Sequence, residues 1–290
     1  MGKNITGENA ISRRNFLAGL TATGALAAAG ALAGCAPQAS EGSASKSGSD
    51  ADAAQGSWRD KPAMPTDIAE TLETDLVVVG AGNGGLVAAT TAAQNGAKVI
   101  VLEKGGAIAA AREAIGALNS ALEPDHIEDV PTLINHANQT QAGDANMLMY
   151  RTWAEKSGEM IEWMKETLEP KDMLFPFEWH KPDDEHAYYP AMCYNPCLDE
   201  YNPDGPNYGA YMHLEVMREV FEELGGEILF TTPAQQLVQD DSGKVTGVIA
   251  ESDDRGTIQV NAKNGVIICT GGYGANTEML NDLCPGNTKW

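Results

Sequence analysis

Residues 75–85 read DLVVVGAGNGG, and residues 99–104 read VIVLEK. No other stretch of the chain limits its fold as tightly. Asp75 to Val79 is a short apolar run of the kind a buried parallel strand needs. Gly80, Gly82 and Gly85 follow with G-x-G-x-x-G spacing. The first glycine permits a sharp turn, the second lets a diphosphate approach the backbone, and the third allows close helix–strand packing. A helix from about Gly84 to Asn95 would aim its N-terminal N–H groups and positive dipole end at that diphosphate. Gly96 is placed to end it. Lys98 to Leu102 reads as a second strand, and Glu103 falls 23 residues after Gly80. A carboxylate there can accept hydrogen bonds from ribose hydroxyls. Glycine-rich turns are common in ordinary strand–helix connections. The strand before, the helix after and the acid at this distance are what point to a dinucleotide.

The first residues read as an address. ISRRNFL at 11–17, followed by a mild run of Ala, Gly and Thr to Gly34, has the form of a twin-arginine export signal. The run approaches membrane-spanning length, but its weak hydrophobicity fits a signal better than a permanent anchor. That route carries folded proteins, often with the cofactor already loaded. LAGC at 32–35 resembles a lipobox, with Cys35 as the lipidated first residue of the mature protein. Cleavage beside an incidental cysteine is the alternative. Residues 35–66 carry almost no apolar bulk over their first two-thirds and are expected to form a flexible tether. About 22 such residues span on the order of 25 Å. The organisation expected is therefore signal and lipobox at 1–34, tether at 35–66 and one domain at 67–290.

The 290 residues carry a formal charge of −22, with no basic stretch to neutralise phosphates, so nucleic acid is not an expected partner. Cys193 and Cys197 are spaced C-x-x-x-C, which matches neither a zinc ribbon nor a haem-attachment site. No metal site is expected. Cys269 sits in an apolar run and reads as a buried small residue. Residues 131–169 have a helical pattern with Asp144 as a candidate cap. Trp153 and Trp163 read as core. Residues 170–209 hold prolines, aromatics, His180 and His186, and read as irregular loop. A helix over 211–224, a strand over 227–231 and a hairpin over 235–251 follow, the hairpin turning at Asp241–Lys244. Thr257–Val260 reads as a short strand. Gly265–Cys269 reads as a separate buried strand running into Thr270, Gly271 and Gly272.

Taken together these segments resemble the flavoprotein subunit family of fumarate reductase and succinate dehydrogenase, in its exported single-chain FAD-dependent branch. Three stretches carry the resemblance: DLVVVGAGNGG with VIVLEK, ILFTTPAQQLVQDDSGKVTGVIAES at 228–252, and GVIICTGGYGAN at 265–276. It implies an α/β fold, a Rossmann-like FAD-binding domain of glutathione-reductase type with a parallel sheet and an inserted hairpin or meander. It implies FAD rather than NAD. Its contacts would be Gly80, Ala81, Gly82, Asn83, Gly84, Gly85, Glu103, Lys104, the backbone at Ala234, and Thr270, Gly271 and Gly272. In the family, reduced flavin passes a hydride from N5 to an activated C=C bond and an arginine donates the proton. The implied substrate is a small unsaturated acid or enone. The implied electron source is a separate donor protein or a membrane quinol or cytochrome system.

Two departures qualify this. The family's Gly-Gly-x-Ser stretch is Ala-Ala-Ala-Arg at 109–112, which leaves the flavin contact and a role for Arg112 open. The family also continues for roughly as many residues again, and those hold its capping domain, its proton-donating arginine and its carboxylate clamps. No catalytic residue can therefore be carried over. A ketosteroid-type FAD dehydrogenase and a truncated, catalytically incomplete FAD-binding fragment are the alternative readings.

Overall fold

The computed structural model describes residues 57–60, 62–108, 114–140, 146–180, 191–198 and 212–284. The leader with Arg13 and Arg14, Cys35, the tether up to residue 56, residues 109–112, Asp144 and His186 lie outside them, as does the side chain of His180.

Strand β1 (Glu70–Val79) leads through the glycine turn into helix α1 (Asn83–Gln94) and strand β2 (Val99–Leu102). β1 pairs in parallel with β2, Val79 opposite Leu102, and in parallel with β9 (Gly256–Ile268) on its other side. β6 (Glu227–Leu229) extends the parallel set beyond β2. β7 (Ala234–Gln239) and β8 (Val245–Ser252) continue antiparallel from β9, so the sheet runs β6-β2-β1-β9-β8-β7. This is the expected α/β architecture, a parallel sheet joined to an antiparallel meander.

Side chains alternate across the strands as a period of two requires. Val77, Val79, Ile100, Leu102 and Leu229 pack with Val248, Ala250, Ile258 and Val260 of the meander. Val78, Val99 and Val101 point the other way, against Ala89 and Ala93 of α1 and Phe221 of helix α4 (Met212–Glu223). Between β2 and α4 lie β3 (Ile115–Gly116), α2 (Val130–Thr140), α3 (Met147–Leu168), β4 (Phe177–His180) and β5 (Ala191–Tyr194). Their shared core joins Ile161, Met164 and Leu168 of α3 to Leu214 and Met217 of α4, Tyr194 of β5 and Leu86 of α1.

Several expectations are corrected. Residues 170–209 are not loop throughout. β4 and β5 form a hairpin on which β3 makes a third strand, with Phe177 opposite Tyr194 and Ile115 also opposite Tyr194. Thr257–Val260 and Gly265–Ile268 are parts of one 13-residue strand. Thr74 pairs with Ala262 and Leu76 with Gly265, so the Lys263-Asn264 interruption is a bulge, not an end. The last turn of that strand is not buried: Ile267 is 37% and Ile268 55% exposed. The cause is pairing on one side only. β8 covers β9 as far as Asn261, and among the described residues the edge beyond is open. Cys269 is correspondingly half-buried. The N-cap of α3 is Asn146, whose side chain accepts from the Leu148 N–H. Trp153 is 40% exposed and not core. Its indole N–H instead donates to the Gly116 carbonyl at 3.0 Å. Trp163 does pack on the α3–α4 core. Residues 57–60 are held to helix α5 (Thr277–Leu283) by Trp58 and Arg59 bonding Asp282 at 2.9 and 3.2 Å.

Candidate cofactor site

The Gly80–Gly85 turn is built against the end of β9. Gly80 has φ +103°, and a Cβ there would stand 2.4 Å from the Cys269 carbonyl oxygen. Gly85 has an equally strict reason to be glycine: a Cβ would lie 1.8 Å from Gly80 O. These two glycines are fixed by the protein itself. Gly82 is different. Its backbone, φ −90° and ψ −166°, suits any residue, so its conformation does not call for glycine. Gly84 and Gly272 face room, a Cβ at Gly84 coming no nearer than 3.9 Å to Cys269 Sγ and one at Gly272 meeting nothing. Gly271 takes φ +71°. Two turns with their side-chain-free faces open thus sit side by side, joined by the Cys269 N–H to Val79 O bond of 2.8 Å.

Helix α1 begins at this opening with no side chain capping it and no acid in its first turn. Its leading N–H groups are therefore available to an anion. Glu103 closes the inner side. It is 5% exposed, one carboxylate oxygen accepting from the Ala81 N–H at 2.8 Å and the other from the Gly105 N–H at 2.7 Å. A carboxylate has roughly four acceptor positions, so two remain for ligand hydroxyls. The Glu103 carbonyl accepts from the Thr232 N–H, and its N–H donates to Leu229 O. The 230–233 segment is thereby held beside Glu103 and delivers half-buried Ala234 at the start of β7. Lys104 is exposed.

Of the sequence-predicted residues, Gly80 to Gly85, Glu103 and Thr270 to Gly272 are brought to one end of the parallel sheet. Ala234 reaches the same end through the 230–233 segment. Sequence reading passed over His213 on α4. It is fully buried, its Nε2 lies 3.1 Å from Asn83 Oδ1, and burial pushes it down to about 4. A single histidine in a helix carries no spacing signal, and only the fold brings α4 to α1. Burial also raises the Cys269 thiol, so it is protonated beside the turns at neutral pH. Cys193 and Cys197 are not joined by a disulfide. The Cys193 thiol lies 3.8 Å from Glu178 and is likewise raised, chiefly by burial.

Comparison with known proteins decides the ligand class. The chain matches the FAD binding domain family over residues 75–287. It belongs to that family. FAD is accordingly its cofactor, and the open glycine faces, the uncapped helix and the buried Glu103 suit the ADP end of that molecule. Digoxin reductase of Eggerthella lenta is 30% identical over 98% of this chain and 49% of its own length. Two solved structures share the fold. One is a 3-ketosteroid-Δ4-(5α)-dehydrogenase of Rhodococcus jostii RHA1, with TM-score 0.60, 22% identity, and coverage of 74% of this chain and 49% of that one. The other is the open form of a flavocytochrome c3 fumarate reductase, with TM-score 0.57, 22% identity, and coverage of 75% and 36%. The chain thus spans at most about half the length of each.

Proposed function

We propose that this chain holds the FAD of an exported oxidoreductase that reduces an activated C=C bond of a small unsaturated acid or enone. The observation that carries the reading is the pair of open glycine turns closed behind by Glu103, within a chain 30% identical to a digoxin reductase. When bound, the flavin supplies the two-electron chemistry. The chain's own residues supply the anchorage. Gly82 and the first turn of α1 receive the diphosphate, Glu103 the adenosine ribose, the backbone at Ala234 the adenine, and Thr270 to Gly272 the approach to the flavin. No proton donor is assigned. Electrons are proposed to arrive from a separate donor protein or a membrane quinol or cytochrome system.

Reduction is preferred to dehydrogenation because the closer sequence relative is named a reductase, whereas the likeness to the ketosteroid dehydrogenase is one of fold alone. Export rests on Arg13 and Arg14, and attachment to a membrane on Cys35. The test is to purify the full chain with its flavin, reduce it anaerobically and follow flavin reoxidation against a panel of enoates and enones, while the oxidised protein is mixed with saturated ketosteroids and watched for flavin reduction. Reoxidation by an enoate or enone is expected. A yellow protein that no member of the panel reoxidises would refute the alkene-reductase reading while leaving the FAD site standing.

A further inference from the structure

His213 is fully buried, yet only one of its ring nitrogens has a partner. Nε2 meets Asn83 Oδ1 at 3.1 Å, and Nδ1 has none. A buried imidazole is neutral and carries one proton. An amide oxygen can only accept, so that proton sits on Nε2 and Nδ1 is a bare lone pair. Leaving such an atom unpaired costs free energy, which the fold sustains. What the arrangement secures is the orientation of Asn83. Its oxygen is held inward by a donor that cannot rotate away, so its NH2 group must face outward. Asn83 is exposed and is the first residue of α1, next to Gly82. Its two amide protons therefore join the leading backbone N–H groups of the helix on the open side of the turn.

We propose that His213 is a positioning residue for the cofactor: it locks the Asn83 amide so that its NH2 group donates to the FAD diphosphate. Without the imidazole donor the amide is free to flip and present its oxygen to a phosphate oxygen, turning an attraction into a repulsion. The inference rests on the glycine turn being the diphosphate site.

The test measures FAD affinity of the full 290-residue chain by quenching of flavin fluorescence, with the melting temperature of each apoprotein recorded alongside. Asn83→Ala and His213→Leu should each weaken binding about tenfold, the worth of one charge-assisted hydrogen bond. The double variant should be no weaker than either single one, because both remove the same contact. His213→Gln can donate from its own amide and should stay within about threefold of the unaltered chain. Losses that add in the double variant, or a His213→Gln chain as weak as His213→Leu, overturn the proposal. Asn83 is exposed, so Asn83→Ala folds whatever becomes of the His213 variants, and unaltered affinity in that variant alone is enough to overturn it. Gly82→Val distinguishes the diphosphate site from the role of His213. If it binds FAD normally, or the unaltered chain binds none, the site assignment fails rather than the role of His213.

Discussion

At Gly85 a single added methyl would stand 1.8 Å from a backbone oxygen that cannot move, and one position earlier the same methyl has room. Gly85→Ala should therefore cost about 3 kcal/mol or more in urea unfolding, whereas Gly84→Ala should be neutral or stabilise by up to about 1 kcal/mol through helix propensity. Both glycines were visible in the sequence, but the motif alone does not rank them. The ranking comes from how the turn is pressed against the end of β9. His213 makes a second residue-scale prediction. Burial holds its folded pKa near 4, below the usual value of 6.5. As pH falls below 6.5 the unfolded chain takes up a proton that the folded chain refuses, so this contribution is present above pH 6.5 and is lost as pH falls toward 4. Its size is about 3 kcal/mol, from the linkage of a depressed pKa to stability. Unfolding free energies measured from pH 7 to pH 4 should drop by that order, and His213→Leu should lack that component.

Among the elements, the stretch from β1 to β2 was legible because its pattern is local: an apolar run, glycines at fixed spacing, a second run and an acid. The β4–β5 hairpin was not. Its pairing with β3 joins residues more than 70 positions apart, and prolines and aromatics around it resemble loop composition. The misplaced Trp153 has the same origin. Its spacing along α3 fits an apolar stripe, but at that point the helix meets a backbone segment rather than side chains. Ser157 Oγ accepts from the Leu118 N–H at 3.0 Å, and a Cβ at Gly158 would come 2.6 Å from the Leu118 carbonyl. This seam of small residues lets α3 lie directly on residues 117–119. Gly158→Ala should force the two apart and cost about 1–3 kcal/mol, as overpacking does. Hydrogen exchange at the Leu118 amide should quicken in that variant. No change at that amide would show that the seam does not hold the helix.

Over the whole molecule, a charge of −22 opposes an anionic ligand. Short hydrogen bonds at the turn persist in salt, while the long-range repulsion is screened within about 10 Å at 0.1 M. Association of FAD with the apoprotein should accordingly quicken as ionic strength rises from low salt, and stopped-flow mixing measures it. The proposed export belongs to this scale as well: if it holds, Arg13→Lys with Arg14→Lys leaves the protein in the cytoplasm and Cys35→Ala releases it from membranes on fractionation, and normal export of the double-lysine variant would refute it. The topology bears on how such a chain can change over generations. β2 and β6 are neighbours, with Leu102 opposite Leu229, although the whole β3–β5 sheet and the helices α2, α3 and α4 intervene between them in the chain. The chain leaves the parallel sheet after Glu103 and returns through α4 to the adjacent strand. That long excursion is anchored at two nearby points, so a part of it that does not pack on α1, such as α2, can lengthen or shorten without displacing the nucleotide cradle. A lineage can thus vary that segment while inheriting one cofactor cradle intact.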